Sequence, residues 1–578
     1  MTRTDSFVVG TLVVLLAVLA GLVGVPALTP TAVTTAAPTA TPRVADSRPY
    51  REGVLGRPVS VSPLSARTQA DRDLVALVYA GLVRNGPSGT LVPDLAERWS
   101  VDATGVIWTF QLRDDAFWHD GEPVTAEDVA FTIGVLQDPS YSGPGAGSWN
   151  EVRVQTDGDR LVTFTLATPL GGFLQAATQP IAPAHLLSGV PVDGLADLSF
   201  GRQPIGSGPF AVASLTDDAA DLIPAATLFA PEGPSMDPGP LATDSLATPR
   251  PVDRPTRPIP YLTGIEFRFF DDPETLADAY RAGTVDAASG LAPHLGRELA
   301  ATNGSRTLRY PGSTLTAVLL NLRPGHPEFS NPAVRTALLA AIDRPTIIDE
   351  AFAMVAGSAT GPIPPASTMF DPTADPPVAY DPDAATAALK AAGWTSAADG
   401  WHLPAATTAL TIELLSADEA SNPAAFRAAV AVARDWTALG LTVTHVALPP
   451  GKFVTGRLST GEFSAAVADV TVGLDPDLYP LLASSQTLTG GSNVIGLQDP
   501  ALDGLLAAAR GPGTEAARRT AYSNLQKQLA TGRYVLPLAF ADESIVIRDT
   551  VEGPSGRQVA DPAERFWDVL TWRLAAGR

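Results

Sequence analysis

The segment that most constrains the fold runs from Leu95 to Leu136 (LAERWSVDATGVIWTFQLRDDAFWHDGEPVTAEDVAFTIGVL). Within it, Trp108, Phe110 and Leu112 alternate with more polar residues, which is the pattern of a strand with one buried face. Residues 102–105 (DATG) supply a turn immediately before that strand. A hairpin is therefore predicted over the first part of the segment.

A capped helix is predicted over the second part of the segment. Thr125 and Asp128 stand three residues apart, so a hydroxyl and a carboxylate can satisfy the exposed amides of a first helical turn. Val129, Ile133 and Leu136 follow at helical spacing. The segment holds no catalytic constellation, and we interpret it as a packing motif.

Composition limits what the chain as a whole can be. At 578 residues it exceeds one ordinary hydrophobic core, so two or three domains are expected. The net charge is −22, which makes nucleic acid and anionic membrane surfaces poor partners. The sequence contains no cysteine. This excludes disulfides, thiolate metal sites, a cysteine nucleophile and a lipid-modified cysteine.

The N-terminal residues predict a membrane-spanning helix. Ser6 to Val25 is an apolar run of about bilayer length, and Arg3 before it favours an orientation with the N terminus inside. A cleaved signal peptide is the alternative. Residues 26–49 begin with a stretch rich in Pro, Ala and Thr and predict an extended linker.

The second half of the chain alternates strands with helices. Leu410–Leu415 predicts a strand, Pro423–Leu439 a helix and Leu441–Val446 the next strand. Thr314–Asn321 predicts a strand with few polar residues, as expected in a sheet covered on both faces. This alternation predicts an α/β fold.

Several motifs together resemble extracellular solute-binding protein family 5, the oligopeptide, dipeptide and nickel class of ABC-transporter receptors. They are Leu95–Leu136, PIGSGPF at Pro204–Phe210, NPAVRTALLAAIDR at Asn331–Arg344 and DPDAATAALKAAGW at Asp381–Trp394. The resemblance covers about Pro58 to Leu538, and the motifs occur in the order typical of the family.

The resemblance implies a two-lobed periplasmic-binding-protein-like fold (class II, cluster C). Hinge strands join the lobes, an extra small α/β subdomain belongs to lobe 1, and the N-terminal transmembrane or signal helix precedes the body. The expected domains are lobe 1 at 50–312 with its subdomain at about 88–203 and a Pro-rich insertion at about 217–258, lobe 2 at 313–533, and a return to lobe 1 at 534–578.

Four local expectations concern the first strand, the first helix, the insertion and the hinge. Val59–Leu64 predicts the first strand of the body, and Asp71–Val83 predicts a helix. Asp217–Pro258 lacks periodicity and predicts a mobile surface insertion. Tyr310–Leu315 is the hinge that the resemblance implies.

The function implied by the resemblance is extracytoplasmic capture of an oligopeptide or similar solute in a cleft between the lobes. Delivery would be to an ABC permease with cytoplasmic ATPase subunits. The receptor is expected to be a monomer, anchored at the outer face of the cytoplasmic membrane by its N-terminal helix, or periplasmic or secreted if that helix is cleaved. One alternative is a receptor for a nickel chelate, a sugar or a secondary metabolite. Another is a surface-anchored sensor or adhesion protein that uses the same fold without a transporter.

The candidate ligand-binding residues lie in the second lobe. Members of the family often place an Asp of this lobe against the amino terminus of the ligand, in a region that matches Phe463–Tyr479 here (FSAAVADVTVGLDPDLY). The resemblance thus implies Asp469 as first candidate, although its spacing to Asp475 is longer than in the dipeptide-binding members. Asp475 is the second candidate. Tyr479, as a cleft aromatic, and Asn321 complete the set.

No enzyme or metal site is predicted. The sequence has no Walker A motif, G-x-S-x-G elbow, HExxH motif or EF-hand loop. Its six histidines are scattered, with no two at metal-ligand spacing, and His185 is expected to cap or pack. No catalytic residue and no cofactor are therefore expected.

Overall fold

The computed structural model of the chain describes residues 48–145, 149, 151–228, 258–353, 355–487 and 491–575. The predicted membrane helix at Ser6–Val25, nearly all of the linker and residues 229–257 of the insertion lie outside these ranges. Within the described ranges, no helix is long and apolar enough to cross a membrane.

The strands belong to two large sheets, one subdomain sheet and three short pairs. In chain order they are β1 Tyr50–Leu55, β2 Val83–Asn85, β3 Leu91–Pro93, β4 Ala96–Val101, β5 Ile107–Leu112, β6 Arg153–Asp157, β7 Leu161–Thr165, β8 Phe210–Leu215, β9 Ala219–Pro224, β10 Ile265–Phe270, β11 Ala287–Ser289, β12 Ser305–Tyr310, β13 Thr314–Leu320, β14 Ala356–Ser358, β15 Thr395–Ala397, β16 Gly400–His402, β17 Thr411–Ala417, β18 Thr442–Leu448, β19 Ala465–Thr471, β20 Val535–Ala541, β21 Glu543–Arg548, β22 Val551–Glu552 and β23 Arg573–Leu574.

The α-helices cover the faces of these sheets. In chain order they are α1 Gln69–Val78, α2 Ala126–Leu136, α3 Phe173–Ala176, α4 Ala184–Leu187, α5 Pro273–Arg281, α6 Pro293–Ala300, α7 Pro332–Ala340, α8 Arg344–Phe352, α9 Pro382–Ala391, α10 Pro423–Ala438, α11 Pro450–Phe453, α12 Tyr479–Leu482, α13 Pro500–Arg510 and α14 Glu515–Gly532. A 3-10 helix at Pro562–Thr571 follows near the C-terminal end of the described residues.

Two mixed sheets define two lobes. The seven-stranded sheet of lobe 1 has the order β12-β21-β11-β1-β10-β9-β8, and the six-stranded sheet of lobe 2 has the order β14-β20-β13-β19-β17-β18. In lobe 1, β1 pairs in parallel with both β10 and β11. This is the two-lobed α/β architecture that the sequence predicts.

The lobe 2 sheet is covered on both faces, as predicted from its central strand. Val318 and Leu320 of β13 pack in the core on one face. Leu315, Ala317 and Leu319 pack in the core on the other face. Successive side chains of a strand point to opposite faces, so a strand of this kind needs apolar residues at nearly every position.

The subdomain contains the segment Leu95–Leu136. Its four-stranded sheet has the order β4-β5-β7-β6, and the predicted buried face of β5 is confirmed, with Trp108, Phe110 and Leu112 all buried. The capping box of Thr125 and Asp128 is also confirmed at the start of α2. Local pattern and local structure agree throughout this segment.

A buried charge cluster joins the two ends of the described chain inside lobe 1. Arg565 donates to Glu52 at 2.7 Å and to Asp73 at 2.6 and 2.7 Å, and all three side chains are fully buried. Tyr50 also donates to Glu52, at 2.8 Å. Burial alone would lower the pKa of Arg565, but the two carboxylates outweigh it and raise that pKa well above its ordinary value. The guanidinium of Arg565 therefore stays charged and pairs with one carboxylate from β1 and one from α1.

Within the described residues, the chain crosses between the lobes twice, after β12 and after β20. The first crossing, at residues 311–313, falls within the predicted hinge. A Cβ on Gly312 would collide with the carbonyl oxygen of Ala541, so the two crossings lie side by side. Arg309 pairs with Asp542 of the second crossing at 2.6 Å. Paired crossing segments of this kind suit hinge motion.

Two expectations from the sequence, the first strand and the first helix, are wrong in detail. Residues 59–64 form no strand because the amides of Val59 and Ser60 donate to Asp71 of α1 at 2.6 and 2.9 Å. The first strand is β1, and α1 covers Gln69–Val78 rather than Asp71–Val83.

The other corrections concern the insertion and the lobe boundary. The start of the predicted insertion is regular, since β9 pairs antiparallel with both β8 and β10. The predicted end of lobe 2 at residue 533 is also too early. The next strand, β20, pairs with β13 and β14 of lobe 2, so the return to lobe 1 begins only at Asp542.

Candidate functional site

A cleft lies between the subdomain side of lobe 1 and the end of the lobe 2 sheet where β19 stops. A cavity of about 460 Å³ lies there, and we call it the latch chamber. Residues 166–176, which lead into and include α3, contribute most of its lobe 1 wall. The lobe 2 wall comes from residues 473–480 together with Arg510 and Arg518.

The lobes touch at this chamber. The backbone N–H of Gly171 donates to the carbonyl oxygen of Arg510 at 2.8 Å. A Cβ on Gly172 would lie 2.8 Å from Cγ of Asp475, so glycine is needed for this close approach. We call the contact of Gly171 and Gly172 with Arg510 and Asp475 the latch. Through the latch, the two lobes are in contact across the cleft, which is a closed arrangement.

Asp475, the second candidate of the sequence analysis, lies on the wall of the latch chamber. Arg518 donates to its two carboxylate oxygens at 2.7 and 2.8 Å, and the hydroxyl of Tyr522 donates at 3.1 Å. Burial, followed by the negative charge of Asp475, raises the pKa of Tyr522 well above its ordinary value. The carboxylate of Asp475 is therefore held in place by Arg518 and Tyr522 on the lobe 2 side of the latch.

Tyr479 packs against Arg510, which lines the same wall. The guanidinium of Arg510 lies over its ring, 4.4 Å from the centroid, and donates to Asp477 at 2.8 Å. The ring of Tyr479 is therefore engaged with Arg510, and the neighbouring Pro480 lines the chamber.

Asp469 and Asn321 lie in other surroundings. Asp469 is exposed on β19, where it accepts from Thr316 at 2.5 Å and from Asn422 at 2.7 Å. Asn321 is fully buried, and its amide donates to the carbonyls of Gly461 and Phe463 at 3.0 and 2.8 Å. The amide of Asn321 is therefore engaged within lobe 2, and a role in ligand binding stays a prediction.

A second cavity, of about 490 Å³, lies between the lobes beside the first crossing segment. We call it the hinge chamber. Pro311, Arg557, Gln558 and Trp567 line it from the lobe 1 side, and Thr368 lines it from lobe 2. Leu474 lines both this cavity and the latch chamber. The two chambers therefore adjoin at Leu474.

A third cavity, of about 430 Å³, lies within lobe 1 and adjoins both chambers. It shares Trp567 with the hinge chamber and Gln175 and Ala176 with the latch chamber. Glu564 lies on its wall and accepts from the amide N–H of Ala560 at 2.7 Å. Burial raises the pKa of Glu564.

Among the described residues, no group of three or more His, Asp or Glu side chains is arranged to hold a metal ion. Nε2 of His185 donates to Asp120 at 2.9 Å, and its ring packs 6.0 Å from the ring of Trp118, so it has a packing role.

No local pattern in the sequence indicates the cleft residues Arg510, Arg518, Arg557 and Trp567. Asp475 and Arg518 are 43 residues apart in the chain, and Asp477 and Arg510 are 33 apart. No local motif connects such residues, since a solitary arginine in an amphipathic helix looks like a solvated surface residue. Only the tertiary structure brings them to one wall.

Comparison with known sequences identifies the family. The sequence profile of the bacterial extracellular solute-binding proteins, family 5 Middle, matches residues 90–492, more than half of the chain. The chain belongs to this family. Its members are transport binding proteins rather than enzymes, which agrees with the absence of catalytic motifs from the sequence.

Individual relatives span nearly the same length as this family 5 chain. It is 26% identical to protein XP55 of Streptomyces lividans, over 87% of this chain and 85% of the relative. It is also 26% identical to the probable di/tripeptide-binding protein 5 of Pseudomonas aeruginosa, over 87% of this chain and 96% of the relative. The solved structure of HbpA2 from Haemophilus parasuis has the same fold, with a TM-score of 0.74, 22% identity, and coverage of 91% of this chain and 99% of that one.

Proposed function

We propose that this chain is the extracytoplasmic substrate-binding component of an ABC importer and captures oligopeptides or similar solutes between its lobes. The observation that supports the proposal most strongly is the latch, because it closes a cleft with adjoining cavities of about 460 and 490 Å³. Solute receptors of this architecture bind in such clefts and close by hinge motion.

A peptide cargo is supported by the shape and chemistry of the cleft. Extended peptides bind through strand-like backbone hydrogen bonds, with side chains in roomy pockets. Three adjoining cavities provide such pockets, and Trp567 lies between two of them. A relative of similar length carries a di/tripeptide-binding name. Asp469 and Asp475 stay the predicted contacts for a ligand amine. Tyr479 stays the predicted cleft aromatic, and Asn321 completes the predicted set.

Delivery is proposed to a membrane permease driven by cytoplasmic ATPase subunits. The receptor would act as a monomer at the outer face of the cytoplasmic membrane, where Ser6–Val25 would anchor it, or free of the membrane after cleavage of that segment. Membrane fractionation and N-terminal sequencing of the expressed full chain distinguish the two arrangements. Light scattering during size-exclusion chromatography tests the monomer.

The cargo is tested by thermal melting of the full chain with a mixed library of short peptides. A ligand that binds only the folded protein stabilises it by mass action and so raises its melting temperature. At a ligand concentration of a hundred times Kd, the gain in unfolding free energy is about 2.7 kcal/mol. We expect peptides to produce such a shift. A shift produced by nickel chelates or sugars but not by peptides would reassign the cargo. Mass spectrometry of solutes that copurify with the protein gives an independent identification.

Transport itself is tested by deleting the receptor in its own host and measuring uptake of the identified solute. Unchanged uptake, combined with loss of a transcriptional or adhesive response, would favour the sensor or adhesion alternative.

A further inference from the structure

The third cavity, of about 430 Å³ inside lobe 1, has a largely aromatic and aliphatic wall. Four aromatic residues line it, from the end of α1, the subdomain and the 3-10 helix at Pro562–Thr571: Tyr79, Trp149, Phe566 and Trp567. Aliphatic side chains of α1 and the 3-10 helix, among them Val75 and Leu570, lie between them. A group that enters this cavity therefore leaves water for a mostly apolar surface.

Glu564 places a carboxyl group on this wall without a counter-charge. Its Oε2 accepts from the backbone N–H of Ala560 at 2.7 Å, and its Oε1 accepts from the amide of Asn85 at 3.4 Å. Among the described residues, no cationic side chain forms an ion pair with it, and Arg557 acts on it only from a distance. A carboxylate in apolar surroundings without a counter-charge is costly. A cation that reaches Glu564 therefore stabilises the site.

The other charged groups of the wall do not supply that cation. Arg72 of α1 pairs with Asp561 at 2.8 Å, and the negative charge of Asp561 also lies close enough to act on Glu564. Asp94 and Arg84 line the cavity as well. Three carboxyl groups and two guanidinium groups therefore share the wall, which favours a cation over an anion as its occupant.

A cation without N–H bonds suits this cavity better than a primary ammonium group. Each N–H of a primary ammonium needs an acceptor, whereas both oxygens of Glu564 already accept one N–H each. A quaternary ammonium group makes no such demand, because methyl groups cover its charge. Aromatic rings attract a cation of this kind through their faces. One carboxylate among aromatic residues is therefore a suitable combination for a quaternary ammonium group.

We propose that the third cavity binds a quaternary ammonium group with Glu564 as its counter-charge, so that the captured solute is or carries a methylated organic cation. The inference rests on the proposed function in one respect, that a captured solute reaches the cavity from the adjoining chambers. The cavity is lined by lobe 1 alone. The site is therefore distinct from the predicted amine contacts at Asp469 and Asp475 of lobe 2, to which an amine would donate hydrogen bonds.

The test compares choline with neohexyl alcohol, its isostere in which carbon replaces the charged nitrogen. Binding to the full chain is measured by thermal melting near neutral pH, at equal ionic strength set with sodium chloride. We expect half-maximal stabilisation of the wild type at a concentration of choline about tenfold below that of the alcohol, which corresponds to about 1.4 kcal/mol. Glu564→Gln keeps the shape of the side chain and an acceptor for Ala560, and it should abolish this preference.

The pH dependence of choline binding is a second measurement, and it decides the test if Glu564→Gln does not fold. Burial raises the pKa of Glu564, and only the ionised carboxylate attracts choline. The half-maximal concentration of choline for the wild type should therefore fall as the pH rises through that raised pKa. The profile of Glu564→Gln, where it folds, gives the share that belongs to Asp94 and Asp561. Glu127→Gln removes the same charge from an exposed residue of α2 and should retain the preference for choline.

The outcomes separate this inference from the proposed function. Four results overturn the cation site: no stabilisation by choline beyond that of sodium chloride, equal binding of choline and the alcohol, a preference that survives in Glu564→Gln or is lost in Glu127→Gln, and choline binding that does not change with pH. Stronger binding of ethanolamine than of choline also overturns it, in favour of an amine that donates hydrogen bonds. Stabilisation by peptides in the same assay leaves peptide capture standing in each of these cases. Stabilisation by choline but not by peptides supports the cation site and removes the peptide cargo.

Discussion

Gly172→Ala is expected to weaken ligand binding by holding the lobes apart. Gly172 lies on the lobe 1 side of the latch, directly over Asp475 of lobe 2. The backbone at this position is not left-handed, with φ −84°, so alanine fits the local conformation. The substitution therefore acts through the interlobe contact and not through backbone strain.

The cost follows from the distances across the latch. The added carbon would lie 2.8 Å from Cγ and 3.1 Å from Cβ of Asp475, inside the normal carbon–carbon separation of about 3.5–4.0 Å. Asp475 cannot swing aside without losing its bonds to Arg518 at 2.7 and 2.8 Å. Overpacking of this kind costs about 1–3 kcal/mol. A cost confined to the closed state lowers ligand affinity by roughly 5- to 150-fold.

The assay is a titration of the stabilising solute, read as thermal stabilisation of the full chain. Gly172→Ala should shift the half-maximal concentration upward, and the melting temperature without solute should stay nearly unchanged. Gly325→Ala is the matched control, because a Cβ there meets nothing within 4 Å. An unshifted half-maximal concentration in Gly172→Ala, or an equal shift in both variants, would refute the role of the latch in closure.

Three further predictions concern other polar groups. Arg565→Met should cost about 3–5 kcal/mol of unfolding free energy in urea, because it leaves Glu52 and Asp73 buried without a counter-charge; combining it with Glu52→Gln and Asp73→Asn should recover most of the loss. Burial raises the pKa of Glu564 above its ordinary value of 4.5. Between the ordinary and the raised pKa, the folded protein keeps a proton that the unfolded chain has lost, so stability falls as the pH rises from the first to the second. Glu564→Gln should reduce this fall in urea midpoints measured upward from about pH 4.5, and an unchanged pH profile would contradict it. Asp469→Asn should weaken amine-terminated ligands and spare N-acetylated ones, and an equal loss for both would count against the predicted amine contact.

The sequence predicts structure best where the determining contacts are local. The face of β5 and the capping box of Thr125 and Asp128 depend on neighbours within a few residues, and both are confirmed. The predicted strand at residues 59–64 failed because Asp71 binds the amides that a sheet would need. That competition is not visible in the periodicity of the segment.

The placement of β20 and the composition of the cleft depend on topology. An apolar strand near the C terminus is equally suited to either lobe, and only its pairing with β13 assigns it to lobe 2. The same limit applies to the site. Asp475 was a candidate because of the family resemblance, whereas its partner Arg518 and the chamber around Arg557 became apparent only from residues that are distant in the chain.

The charge cluster of Arg565 also affects the order in which the lobes can be completed during synthesis. Arg565 follows Asp73 by 492 residues and Glu52 by 513. At about 5–20 residues per second, roughly 25 to 100 seconds separate Asp73 from its partner. All strands of the lobe 2 sheet come from one continuous run, β13 to β20. The second lobe is therefore complete first in a growing chain, and the first lobe waits for the last residues to emerge.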